Sequence, residues 1–146
     1  MLDKKLILEV TPQCNLRCKY CYISGNGIYN KEISSEVFEK TVERFVENND
    51  KELVVTFHGG EPLLLGIERF NLFLNNLNRI NHEKLRLRLS VQTNATLIND
   101  DWINFLSRNN FHIGLSLDGP REVHDANRIY SQGNGSFDSV QKGIDL

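Results

Sequence analysis

The chain has 146 residues, 17 Lys and Arg against 19 Asp and Glu, 40% hydrophobic residues and a formal net charge of −2 at pH 7. That is enough for one domain with a real core, and it makes no electrostatic case for nucleic acid, because apart from Arg86 and Arg88 the cations are scattered rather than gathered into a stripe. No run approaches membrane-spanning length, and Lys4 and Lys5 precede too short an apolar run, without a small-residue cleavage site, for a signal peptide; a cytoplasmic protein with reduced cysteines is expected.

Leu6 to Val10 reads as a first strand, which Pro12 prevents from continuing. It delivers the chain into Cys14, Cys18 and Cys21, which are all the cysteines of the protein and are separated by three and two residues. One loop with these spacings can wrap its sulfurs around a single centre, as cysteine loops do around iron-sulfur clusters. Three ligands leave one iron of a four-iron cluster without a protein ligand. The alternatives are a structural zinc site, which would need a fourth ligand when the first histidine is as far away as His58, and a disulfide, which an odd cysteine count suits poorly.

After an irregular Gly25-Asn26-Gly27, Ser34 is a good N-cap, with Ile33 placed to staple onto Phe38. Val37, Phe38, Thr41, Val42, Phe45 and Val46 then recur at helical spacing, to about Asn48 or Asn49. Leu53 to Phe57 is a second strand, running into His58-Gly59-Gly60-Glu61-Pro62, and a second helix passes through Ile67, Phe70, Leu74 and Leu77. Leu85 to Gln92 alternates as a third strand; Asn99 or Asp100 caps a third helix containing Trp102, Ile103, Phe105 and Leu106. Phe111 to Leu117 is the fourth strand, stopped by Asp118-Gly119-Pro120. A polar loop is expected to follow, before Ser136 starts a fourth helix with Phe137, Val140 and Ile144 on one face.

Four strands alternating with four helices imply an α/β fold of parallel strands joined by right-handed crossovers. At about 30 residues per unit the chain holds between four and five strand-helix units, too few to close an eight-unit barrel. It ends at Leu146 inside an apolar period with no C-cap signal, so the N-terminal part of a larger barrel is expected. In each strand one parity is apolar while the other turns polar toward the C-terminal end: Glu9 and Thr11, Thr56 and His58, Gln92 and Asn94, Ser116 and Asp118. This polar set is expected to line an inner face at the end where such folds keep their sites. Gly59 and Gly60 remove two side chains where a ligand could approach the backbone, Glu61 adds a carboxylate suited to an ammonium, and Arg128 is a cation able to clamp a carboxylate.

The cysteine loop, with Tyr20 just before its last cysteine, resembles the signature loop of the radical S-adenosylmethionine enzymes, and His58-Gly59-Gly60-Glu61-Pro62 resembles that family's second-strand motif. Gln92 to Leu97, Ser116 to Pro120, His124-Asp125 with Arg128, and Gly135 to Asp138 look most like the anaerobic sulfatase-maturating and related peptide-modifying subgroup. The resemblance implies a partial barrel of six strand-helix units carrying a 4Fe–4S cluster, with S-adenosylmethionine chelating its fourth iron and reductive cleavage giving a 5'-deoxyadenosyl radical that abstracts hydrogen from substrate. It implies Cys14, Cys18 and Cys21 on the cluster, Tyr20 along the adenosine, Gly59, Gly60 and Glu61 at the amino group, Ser116 and Arg128 at the carboxylate, and Asn94 near the ribose or substrate. A peptide or protein substrate and an electron donor such as flavodoxin or ferredoxin are implied with it; nucleic acid and membrane are not. The alternative is a truncated, non-catalytic module whose cysteines hold a cluster or zinc. Ala95 stands where the related sequences usually have Gly, and His58 replaces the glutamine common in sulfatase maturases. The fifth and sixth strands of the family's barrel and its C-terminal cysteine-rich region are not in the sequence.

Overall fold

The computed structural model describes residues 5–23, 31–47, 52–81 and 85–146. The irregular segment expected at Gly25-Asn26-Gly27 and the end of the first helix near Asn48 and Asn49 lie outside these residues. The elements are β1 (Lys5–Thr11), α1 (Ser35–Glu47), β2 (Glu52–Gly59), a 3₁₀ turn (Pro62–Leu65), α2 (Gly66–Ile80), β3 (Arg86–Thr93), α3 (Asp100–Arg108), β4 (Phe111–Leu115), α4 (Arg121–Asn127) and α5 (Phe137–Ile144). The strands lie in the order β1-β2-β3-β4, every neighbouring pair parallel, as strand-helix alternation dictates.

The helices form for the expected reasons. The Ser34 hydroxyl accepts from the N–H of Val37, and the Asn99 side chain accepts from that of Trp102, so the cap of α3 is Asn99 rather than Asp100. Phe38, Val42 and Val46 of α1 and Phe70, Phe73, Leu74 and Leu77 of α2 are buried on one face of the sheet against Leu53, Val55 and Phe57. Phe57 sits at the centre of this layer, with ring centroids of Phe70, Phe73 and Phe111 between 5.1 and 5.7 Å away.

Strand parity behaves as expected in β2 and β3, whereas Ile113 and Leu115, on the apolar parity of β4, are exposed. Val55 and Phe57, with Leu89 and Val91, face the helices, while Thr56 and Ser90 share a 2.7 Å hydroxyl-hydroxyl bond on the opposite face and Gln92 donates to Ser116 at 3.1 Å. Thr11 departs from the pattern. The pairing register shifts between Glu9 and Thr11, so Thr11 is buried rather than on the polar face.

Two further expectations are corrected. The segment read as a polar loop contains α4, whose seven residues bury one side chain, His124, too little to give a periodic signal. Ile144 is exposed, and α5 buries Val140 and Gly143 instead. The turn after β3 places Ala95 at φ 64°, the left-handed region that glycine occupies without penalty, with its methyl fully buried. Ala95→Gly is expected to stabilise the protein by about 0.5 kcal/mol, since relief of about 1–2 kcal/mol of backbone strain exceeds about 0.8 kcal/mol for the lost methyl. Denaturant midpoints check this; a clear loss of stability would mean that the methyl's packing outweighs the strain.

Candidate functional site

The C-terminal ends of the four strands converge on the cysteine loop. Gly59 and Gly60 are the first part of this junction. A Cβ on Gly60 would fall 2.2 Å from the Gln13 carbonyl oxygen, and one on Gly59, where φ is 129°, 2.3 Å from that of Thr11. The close approach that the two glycines permit is therefore made by the protein's own backbone. Gly60 N–H donates to Thr11 O and Glu61 N–H to Gln13 O, both at 2.7 Å, and these bonds clamp the entry of the cysteine loop onto the end of β2.

Glu61 is fully buried. Its carboxylate accepts from Leu63 N at 3.0 Å, from the Thr93 hydroxyl at 2.7 Å and from Asn94 N at 2.7 Å, which ties the 3₁₀ turn to the end of β3. Burial pushes its carboxyl above the ordinary carboxylate range, and the three donors pull it only part of the way back. Asn94, 6% exposed, is also committed: its oxygen accepts twice from Thr96, while its NH₂ group donates to Asn15 Oδ1 and points at Cys14 Sγ. These bonds tie Asn94 to the cysteine loop and to the turn after β3.

None of the three cysteines is in a disulfide, and all are partly exposed. Cys14 Sγ receives the N–H of Leu16 at 3.3 Å, and Cys21 N–H donates to Cys18 O at 3.1 Å, which curls the loop. Burial raises the Cys14 thiol, with Leu16 N–H opposing it; burial also raises Cys18, against the pull of Arg128. Among the described residues no three His, Cys, Asp or Glu side chains converge as a single metal ion would require. Three thiols spaced along one loop suit a cluster, which spreads its ligands over separate irons, better than a zinc ion that draws four ligands to one point.

The far wall of the site is built by residues after β4, and Asp118 is its centre. Arg128 Nε donates to Asp118 Oδ1 at 2.8 Å, the Tyr20 hydroxyl donates to Oδ2, and the guanidinium lies 5.4 Å from the Tyr20 ring centroid with Nη1 4.0 Å from Cys18 Sγ. Desolvation alone would raise the Asp118 carboxyl; the hydrogen bonds from Tyr20 and Arg128, with the arginine's charge, hold it below the ordinary range instead. The Tyr20 hydroxyl is pushed up to about 12 by desolvation and by its bond to Asp118. Ser116 stands beside this group, its N–H on Thr93 O at 3.0 Å and its hydroxyl accepting from Gln92. The structure thus brings Arg128 and Tyr20 to the cysteine loop and Ser116 to the adjoining strand end. Composition and spacing did not single out Asp118 as the hub, although its place just past a strand end put it among the polar residues there.

His124 explains how Arg128 is aimed. The buried ring accepts from Asp118 N at Nδ1 (3.4 Å) and meets the Ser136 hydroxyl at Nε2 (3.0 Å), and that hydroxyl bonds the Arg128 carbonyl at 2.8 Å. An N–H facing Nδ1 makes this the neutral tautomer protonated at Nε2. Asp125 completes the lock by accepting from Phe137 N at 2.8 Å, capping α5 in place of Ser136. Desolvation lowers the His124 pKa. The unfolded chain then binds the proton first, so stability is retained above about pH 6.5, the ordinary histidine value, and falls as pH drops below it toward the folded pKa. Chemical melts at pH 7.5 and pH 5 are expected to show a loss that His124→Gln reduces; equal pH dependence in both proteins would contradict it.

With this geometry in place, comparison with known proteins is informative. The sequence pattern of the Radical SAM superfamily matches residues 8–146. A cysteine-type anaerobic sulfatase-maturating enzyme of Clostridium novyi is 36% identical over 147 residues, covering 97% of this chain and 39% of the relative. The chain therefore spans about two fifths of that relative's length. A solved structure of tagged anSMEcpe with bound AdoMet superposes with a TM-score of 0.87 at 36% identity, covering 96% of this chain and 38% of that one. Native anSMEcpe with bound AdoMet and the Cp18Cys peptide gives 0.85 at 35% identity, covering 97% and 38%. Among the described residues no helix is long and apolar enough to cross a membrane.

Proposed function

The chain belongs to the Radical SAM superfamily, and from that premise we propose that Cys14, Cys18 and Cys21 hold a 4Fe–4S cluster whose remaining iron is open to S-adenosylmethionine. The family uses this cluster and this cosubstrate. Together they supply a 5'-deoxyadenosyl radical by reductive cleavage of the sulfonium bond. We read its four parallel strands and their helices as the N-terminal portion of the family's core domain. Its own residues bind and orient. Arg128, held by Asp118 and backed by the Tyr20 ring, presents a planar cation to the cosubstrate's carboxylate beside Ser116. Tyr20 offers its exposed ring to the adenosine, and the backbone at Gly59 and Gly60 faces the amino group, with Glu61 fixing that turn from behind. The likeness to sulfatase-maturating enzymes, one of them solved with a peptide, supports a peptide or protein side chain as the substrate class; in this reading a flavodoxin or ferredoxin would supply the electron.

The observation that carries the reading is a loop of three cysteines outside any disulfide, at one end of a parallel sheet, with Arg128 held by Asp118 and reaching Cys18. Anaerobic reconstitution with iron and sulfide, then reduction in the presence of S-adenosylmethionine, tests it. Release of methionine and 5'-deoxyadenosine is the expected result. No cluster spectrum would overturn the reading, and a loaded cluster without cleavage would leave the non-catalytic module.

A further inference from the structure

Asn94, Asn15 and Thr96 form a closed ring of hydrogen bonds beside the cysteine loop. The Asn94 oxygen accepts the backbone N–H of Thr96 at 3.0 Å. A backbone N–H only donates, so this end of the carboxamide must be the oxygen, and the NH₂ group faces the loop. One of its N–H bonds reaches Asn15 Oδ1 at 2.9 Å, Asn15 Nδ2 donates to the Thr96 hydroxyl at 2.8 Å, and that hydroxyl donates back to Asn94 Oδ1 at 2.7 Å. The three bonds run in one direction around the ring, so each polarises the next. The second N–H of Asn94 points at Cys14 Sγ, 3.7 Å away. Glu61 holds the Asn94 backbone N–H at 2.7 Å, which fixes the residue from its other side.

We propose that Asn94 is a positioning residue that raises the reduction potential of the cluster by aiming one N–H of an amide locked by Asn15 and Thr96 at the Cys14 sulfur. The proposal rests on the cluster reading above. One electron added to the cluster increases the negative charge at its sulfurs, so a hydrogen bond to a ligating sulfur stabilises the reduced form more than the oxidised form. The lock matters because a carboxamide free to rotate would present its oxygen to the sulfur part of the time and repel it.

The test is the potential of the anaerobically reconstituted chain, titrated with dithionite without S-adenosylmethionine and followed by electron paramagnetic resonance. Asn94→Ala removes the donor. Thr96→Val keeps Asn94 but removes the hydroxyl that bonds Asn15 and Asn94, which loosens the amide facing Cys14. Both potentials are expected to be more negative than the parent's, Asn94→Ala by the larger step. A substitution that merely admitted water would move the potential upward, so the sign separates hydrogen bonding from packing. Unchanged or more positive potentials overturn the proposal. If Asn94→Ala fails to fold or load, Thr96→Val decides alone: a more negative value supports the proposal and the parent value sinks it. A parent chain that loads no cluster removes the underlying reading, a result distinct from a loaded cluster whose potential does not move.

Discussion

Glu61→Ala is expected to lower stability by about 4 kcal/mol or more, since it leaves three buried donors unsatisfied at about 1–3 kcal/mol each and opens a cavity. Against a typical domain stability of about 5–15 kcal/mol, that would leave much of the protein unfolded or close to it. The donors are Leu63 N, the Thr93 hydroxyl and Asn94 N, and the side chain they converge on is completely buried. Glu61→Gln keeps the volume but turns one acceptor oxygen into a donor facing another donor, with an expected loss of about 2 kcal/mol. Both losses should appear in chemical melts with no cosubstrate present. A residue that served only an ammonium would leave such melts unchanged, and that outcome would contradict a structural role.

Arg128→Leu is expected to weaken S-adenosylmethionine binding to the cluster-loaded protein by about 10- to 100-fold, which corresponds to the roughly 1.5–3 kcal/mol of hydrogen bonds to a charged group. Arg128 is mostly buried, its Nε committed to Asp118 and its plane near the Tyr20 ring, so its position is set before any ligand arrives. Arg128→Lys should recover only part of the affinity, because an ammonium lacks the planar fork. Iron content should remain at the parent level in both. An unchanged dissociation constant measured by equilibrium dialysis would mean that Arg128 only braces Asp118 and Tyr20.

The strands and long helices were legible in the sequence because buried parallel strands and one-faced helices write strong periodic patterns. The α4 helix was not, since seven residues with His124 as the single buried side chain carry no period. The position of Thr11 could not be read because a register shift breaks parity without a mark in the sequence. At the site, the cysteine spacing and the chemistry of Arg128 were visible as residues. Which residue held the arginine was not, because Asp118, His124 and Ser136 meet only through tertiary folding. Gly59-Gly60 was legible as a place of close approach, but the partner, the Thr11–Gln13 backbone, comes from a segment distant in sequence. The bonds of the Asn94 amide to Asn15 and Cys14 were not legible, because they join residues about 80 positions apart in sequence.

The central claim is a three-thiolate cluster with one iron left for the cosubstrate, and the electron paramagnetic resonance spectrum of the reduced, reconstituted chain with and without S-adenosylmethionine tests it most directly. The account predicts a 4Fe–4S signal that requires Cys14, Cys18 and Cys21 and shifts when S-adenosylmethionine is added. A spectrum indifferent to S-adenosylmethionine, or a signal that survives replacement of these cysteines, would contradict it.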